Sequence, residues 1–176
     1  GLVEFIALVH DSRGPDAVIE PTQAEVRSAH GLFTTLVLPA PLLAPAASGA
    51  HAVVSTPGDW NGDGRDDLAV AISRAVDPEV GARPLADEGV YLVFGRESWP
   101  DEIDLLEDAD VIINAFGAGL PLSVASAGDV DGDRFDDLLV SVGGNQPQVE
   151  LFRGRETWVE PVDVLGAHLP VLQRVR

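Results

Sequence analysis

The stretch from Asp59 to Leu68, Asp-Trp-Asn-Gly-Asp-Gly-Arg-Asp-Asp-Leu, returns 70 residues later from Asp129 to Leu138 as Asp-Val-Asp-Gly-Asp-Arg-Phe-Asp-Asp-Leu. Each copy sets oxygen-bearing side chains at positions 1, 3, 5 and 9 of a nine-residue loop. A hard cation such as Ca²⁺ takes six to eight oxygens at about 2.3–2.6 Å, and a tight loop can aim alternate side chains at one point. The spacing makes Asp59, Asn61, Asp63 and Asp67 candidate ligands in the first loop, with the Arg65 carbonyl at position 7. In the second loop the candidates are Asp129, Asp131, Asp133 and Asp137, with the Phe135 carbonyl. Two calcium sites are therefore expected. Asp, Asn and Gly are also ordinary turn formers, so an acidic turn that binds nothing is the competing reading. The repetition argues against it.

The residues after each loop narrow its type. A helical EF-hand loop carries a bidentate Glu at position 12, where this chain has Val70 and Val140. The loops lead instead into Leu68-Ala-Val-Ala-Ile72 and Leu138-Leu-Val-Ser-Val142, short apolar runs that read as buried strands. At position 6 the first loop has Gly64 and the second Arg134. If that position needs positive φ, Arg134 carries strain that Gly64 avoids.

The repeat extends beyond the loops. Gly49 to Pro57 matches Gly119 to Ala127, and Gly95-Arg-Glu-Ser-Trp99 matches Gly154-Arg-Glu-Thr-Trp158 at an offset of 59. The two offsets differ by 11 residues, an extra length that falls in the polar, Pro-bearing segment between Ser73 and Gly89 and reads as a surface loop. The chain divides into an N-terminal segment over 1–48, a first repeat over 49–118, and a second repeat with its tail over 119–176. Each repeat reads as four short strands. One enters the loop (around Ala52 to Thr56; Leu122 to Ser126) and one leaves it. A third comes at Val90 to Phe94 and Val149 to Phe152, and an outer strand is last (Asp110 to Phe116). Leu2 to His10 and Gly31 to Leu38 read as strands of a partial preceding unit. Four antiparallel strands in roughly 60–70 residues make a propeller blade. Trp99 and Trp158 are expected to pack the blades, whereas Trp60 has no counterpart because Val130 stands in its place.

These residues resemble the FG-GAP repeat of integrin α-subunit β-propellers and of many bacterial extracellular proteins. The likeness is carried by Gly89-Val-Tyr-Leu-Val-Phe-Gly95, by Trp99-Pro-Asp-Glu-Ile-Asp-Leu105, and by Ser123-Val-Ala-Ser-Ala-Gly-Asp129 with the second loop. It spans about Gly49 to Val164. The Gly-Ala-Pro element is not matched, and the second Phe-Gly is displaced to Phe152-Arg-Gly154. The resemblance implies an all-β fold of antiparallel four-stranded propeller-type blades, two clear and a third partial, with rim calcium loops that are structural. Closed propellers have about four to eight blades, and an open stack leaves strand edges unpaired. The chain is thus expected to be a fragment or an incomplete propeller, completed by remaining blades or other protein subunits. A short open module capped by Leu36 to Ser48 and the tail is the other possibility.

Composition bounds the partners. The formal net charge is −18, which argues against nucleic acid and anionic membranes. Hydrophobic residues at 45% are those of a folded chain. Without Cys, no disulfide or thiolate site is possible. The longest apolar run, Leu36 to Ala47, is short and holds Pro39, Pro41 and Pro45, so direct membrane insertion is not expected. Weak calcium loops fill where the ion is abundant, which points to an extracellular, cell-surface or periplasmic place.

Catalysis finds no support. His10, His30, His51 and His168 are scattered, no nucleophile elbow or phosphate loop is present, and the Asp66-Asp67 pair lies inside the first loop. The chain is expected not to be an enzyme, but a calcium-stabilised interaction module of the adhesion, scaffold or assembly kind. A non-catalytic portion of an extracellular enzyme acting on polysaccharide or lipid-anchored substrates is the alternative. A calcium sensor would need a helix pair that opens, and no such pair is legible.

Overall fold

A computed structural model describes residues 8–10, 23–28, 31–37, 51–55, 58–73, 88–113, 120–143 and 147–158. Its eleven strands are β1 (Leu8–His10), β2 (Gln23–Ser28), β3 (Gly31–Val37), β4 (His51–Val54), β5 (Leu68–Ser73), β6 (Gly89–Val93), β7 (Glu102–Asp104), β8 (Val111–Ile113), β9 (Leu120–Gly128), β10 (Asp137–Gly143) and β11 (Gln148–Phe152). The helix α1 (Leu105–Asp108) is a single turn, started by Asp104, whose carboxylate accepts the Leu106 N–H at 2.9 Å. The segments 38–50, 74–87 and 159–176, on which the expected caps and the long connection fall, lie outside the described residues, as do residues 2–7 and 114–116 of two expected strands.

The strands form three sheets, ordered β1-β2-β3-β7, β4-β5-β6-β8 and β11-β10-β9. The central sheet is antiparallel throughout and holds the four strands anticipated for the first repeat. Three of the corresponding strands form the last sheet, also antiparallel. The N-terminal sheet departs from the expectation in two ways. It contains β2, which the sequence did not announce. It also recruits β7 from the first repeat, paired in parallel with β3 (Leu36 opposite Ile103). Parallel neighbours need a long crossover, and here the chain crosses by running through β4, β5 and β6 of the central sheet. Among the described residues the strands form no closed ring.

Period-two alternation explains the stacking, since successive side chains of a strand point to opposite faces. On one face of the central sheet, Leu68, Val70, Ile72, Tyr91 and Val93 bury against Leu36, Ile103 and Leu105 of the N-terminal layer. On the other, Ala69, Ala71, Val90, Leu92, Val111 and Ile113 bury against Val124, Leu138, Val140, Val142 and Phe152 of the last sheet. A sheet covered on both faces needs apolar residues at every position, and every residue of β5 and of β6 is buried. The expected packing role of the two late tryptophans holds. Trp99 lies against the first cluster and Trp158 against the second. Arg96 and Arg155 sit over their rings at 5.7 and 4.9 Å, within the range of a cation–π contact. Trp60 does more than its position suggests. Among the described residues it is the largest fully buried side chain, wedged between the central and last sheets.

Candidate metal centre

Both loops are pinched at the neck by backbone pairing. Gly58 pairs with Asp67, and Gly128 with Asp137. Position 9 therefore sits at the start of the outgoing strand, immediately before β5 in the first loop and as the first residue of β10 in the second, and its side chain turns back into the loop. Asp67 accepts the Trp60 N–H at 2.8 Å and the Gly95 N–H at 2.7 Å. Asp137 accepts the Val130 N–H and the Gly154 N–H, both at 3.0 Å. Both carboxyls are fully buried.

Most of the remaining bonds repeat residue by residue, although Asp129 also accepts the Gly132 N–H at 2.6 Å. At position 1, Asp59 accepts from Asp63 and Gly64, and Asp129 accepts from Asp133 and Arg134. Position 3 accepts the N–H of position 5, at 3.0 Å on Asn61 and 3.2 Å on Asp131. Position 5 accepts the N–H of position 7, at 2.9 Å on Asp63 and 3.0 Å on Asp133. These side chains bend inward and accept the loop's own N–H groups, as short Asx side chains do in turns. Each carboxylate oxygen carries more than one lone pair, so accepting an N–H leaves capacity for a cation.

Position 6 requires positive φ in both loops: Gly64 has φ 83° and Arg134 has φ 80°. Arg134 is the one non-glycine residue with positive φ among the described residues. Left-handed backbone costs an L-residue roughly 1 kcal/mol, partly offset by the greater chain entropy of glycine when unfolded. Arg134→Gly is expected to raise stability by up to about 1 kcal/mol, read from denaturant midpoints. A loss of stability would contradict the strain.

The loops differ in how tightly they gather charge. In the second, one carboxylate oxygen each from Asp129, Asp131 and Asp137 lie within 4.8 Å of one another, close enough to share an ion. Among the described residues the first loop forms no such three-carboxylate group, since its position 3 is the amide of Asn61. Asp133 stands outside the group, held to the Phe135 N–H. Asp131 also pairs with Arg153 at 3.2 Å, which offsets part of the local negative charge. The first loop has exposed pairs of Arg65 with Asp63 at 3.5 Å and with Glu97 at 3.2 Å, which contribute little.

Burial, opposed by the Gly95 and Trp60 N–H groups and reinforced by Asp59 and Asp63, pushes the Asp67 carboxyl up to about 7. For Asp129 partial desolvation also acts upward, but the N–H groups of Arg134, Gly132, Asp133 and Asp131 outweigh it and hold the carboxyl below its usual range. A cation beside Asp67 would reverse its shift, since a positive charge favours the ionised form. In calcium-free protein the Asp67 side-chain ¹³C resonance is expected to titrate near pH 7. With calcium the midpoint should fall well below that. The sign follows from linkage. A folded-state value raised from 3.8 to about 7 means the folded chain holds an extra proton between the two, so the stability this group contributes is complete below 3.8 and is lost as the pH rises to about 7, staying lost above it.

Sequence reasoning named the candidate ligands but not the groups that support them. Gly95 and Gly154 deliver an N–H to position 9 from the following strand connection. The signal was the repeated Gly-Arg-Glu-(Ser/Thr)-Trp. A Cβ on Gly154 would lie 2.6 Å from Phe135 Cβ and 3.1 Å from the Trp60 carbonyl oxygen, and would also collide with the Asp136 carbonyl. Backbone cannot yield as a side chain tip can, so Gly154→Ala is expected to destabilise by about 1–3 kcal/mol, measured by thermal melting. Asp136 was missed too, although both loops carry Asp at position 8, Asp66 and Asp136.

Among the described residues no helix is long and apolar enough to cross a membrane. The donor set is all oxygen, mostly carboxylate, which suits a hard divalent cation rather than a soft metal. The chain matches no protein-family model, and no curated protein matches it.

Proposed function

We propose that the two loops bind calcium and that the protein is a calcium-stabilised, non-catalytic interaction module of FG-GAP-like blades. The observation that carries the reading is the repetition of one hydrogen-bond pattern in two loops 70 residues apart, ending in the Asp129, Asp131 and Asp137 cluster. Chance acidic turns have no reason to share a left-handed position 6 and a glycine N–H on position 9. The ligands would be Asp59, Asn61, Asp63, Asp67 and the Arg65 carbonyl at one site. Asp129, Asp131, Asp133, Asp137 and the Phe135 carbonyl would form the other, with water completing each shell.

In this reading the three stacked sheets are successive propeller blades, and the loops hold the strands of a blade together at one rim. Calcium stapling suits a compartment rich in the ion, outside the cytosol. The partners are proteins that supply further blades or dock on the assembled rim. Titration calorimetry on metal-stripped protein is expected to count two calcium ions per chain. Asp131→Ala should leave one. A wild-type chain that takes up no calcium at millimolar concentration would sink the reading.

A further inference from the structure

The two loops touch each other, and the contact is made by a residue that is not a candidate ligand. Asp136 belongs to the second loop, yet its carboxylate reaches across and accepts the Asp59 N–H at 3.0 Å. Its own N–H donates to the Asp59 carbonyl at 2.9 Å. Asp59 is thereby clamped on both sides of its backbone, while its side chain gathers the first loop's N–H groups. The next residue, Trp60, has its carbonyl held by the Arg155 N–H at 2.9 Å and by Trp158 Nε1 at 3.3 Å. Arg155 directly follows Gly154, which hangs from Asp137, position 9 of the second loop, at 3.0 Å. Gly62 completes the contact. Its left-handed backbone lies against the Phe135 ring, so closely that a Cβ there would fall 2.7 Å from Phe135 Cδ1. Residues 59, 60 and 62 of the first loop are thus each held by the second loop or by the segment bonded to it.

We propose that the two loops are one coupled cation-binding unit in which Asp136 is a positioning residue for the first site, so that the two sites fill cooperatively. This rests on the calcium reading of both loops. The physical argument is one of ordering. Without a cation, crowded carboxylates repel and each loop samples open forms. A cation drawing in Asp129, Asp131 and Asp137 also immobilises Asp136, which is bonded covalently to Asp137, and Gly154, which is hydrogen-bonded to it. That fixes Asp59 and Trp60 before the second ion arrives, so the second ion meets a loop that has already lost its freedom. Linkage makes the effect reciprocal: an ion in the first loop must strengthen the second by the same factor, and coupled sites commonly differ by about 5–150-fold.

The test is calcium titration of the full metal-stripped chain, with hydrogen exchange at the Asp63 and Gly64 amides as a readout local to the first loop. The wild-type chain should bind two ions with positive cooperativity. Asp136→Ala should still bind two ions, but independently, with first-site affinity lowered at least about fivefold. Asp136→Asn keeps an acceptor oxygen and should retain the cooperativity, separating the hydrogen bond from the charge. Asp131→Ala, which disables the second site, should lower first-site affinity and speed Asp63 and Gly64 exchange, and it serves if Asp136→Ala fails to fold. Two independent ions in wild type, with first-site affinity unmoved by Asp131→Ala, would overturn the coupling and leave the calcium reading intact. No ion bound by wild type would overturn both.

Discussion

Stripping calcium from the saturated protein with a chelator is expected to lower its thermal midpoint by roughly 10–20 °C. An ion held at 100 times its Kd stabilises the folded state by about 2.7 kcal/mol, and two such ions by about twice that. For a chain of this length each kcal/mol moves the midpoint by about 2–4 °C. The direction follows from the loops themselves. Asp129, Asp131 and Asp137 are held with oxygens within 4.8 Å, and without a cation that crowding opposes folding. Differential scanning calorimetry with and without chelator checks it. Magnesium at equal concentration should restore little, because it demands near-octahedral geometry and sheds water reluctantly. A midpoint indifferent to chelation would remove calcium from the account of stability.

Trp60→Ala is expected to be the most damaging single substitution, costing about 3–5 kcal/mol, or roughly 6–20 °C in midpoint. The side chain is fully buried in the cluster that joins the central and last sheets, so truncation opens a cavity at the junction. The backbone bonds of Trp60 to Asp67 and Arg155 do not depend on its ring, and the variant should still bind calcium in the first loop, though more weakly. Trp60→Phe makes a sharper comparison. Among the described residues the buried Trp60 Nε1 finds no acceptor, and such an orphan donor costs about 1–3 kcal/mol. Phe removes it and keeps most of the volume, so it should cost far less than Ala. Equal losses for the two variants would show that the ring does not pack as described.

The strands around each loop were legible because their cause is local. A run such as Leu68 to Ile72 is apolar at every position, which a strand covered on both faces requires, and the flanking Asp and Gly residues punctuate it. The loops were legible because alternate oxygen donors at fixed spacing are a property of sequence alone. Strand β2 was not read, although Gln-Ala-Glu-Val-Arg alternates polar and apolar residues, because Ala24 and Val26 are the alternation's whole apolar content and make a short, weak signal. Strand β7 gave only Glu-Ile-Asp, too short for periodicity, and nothing local says that it joins a sheet built from another part of the chain.

The duplicated loops, their candidate ligands and the mostly antiparallel β architecture were all readable from residues close together along the chain. Each of these follows from side-chain chemistry and backbone sterics within about ten residues. Folding in three dimensions settled the rest: the left-handed backbone at position 6, which sheet covers which, the parallel pairing of β3 with β7, the burial of Trp60 and the reach of Asp136 to Asp59. The last four depend on groups brought together from distant parts of the chain, where the stacking of whole sheets, rather than any local preference, sets the contact.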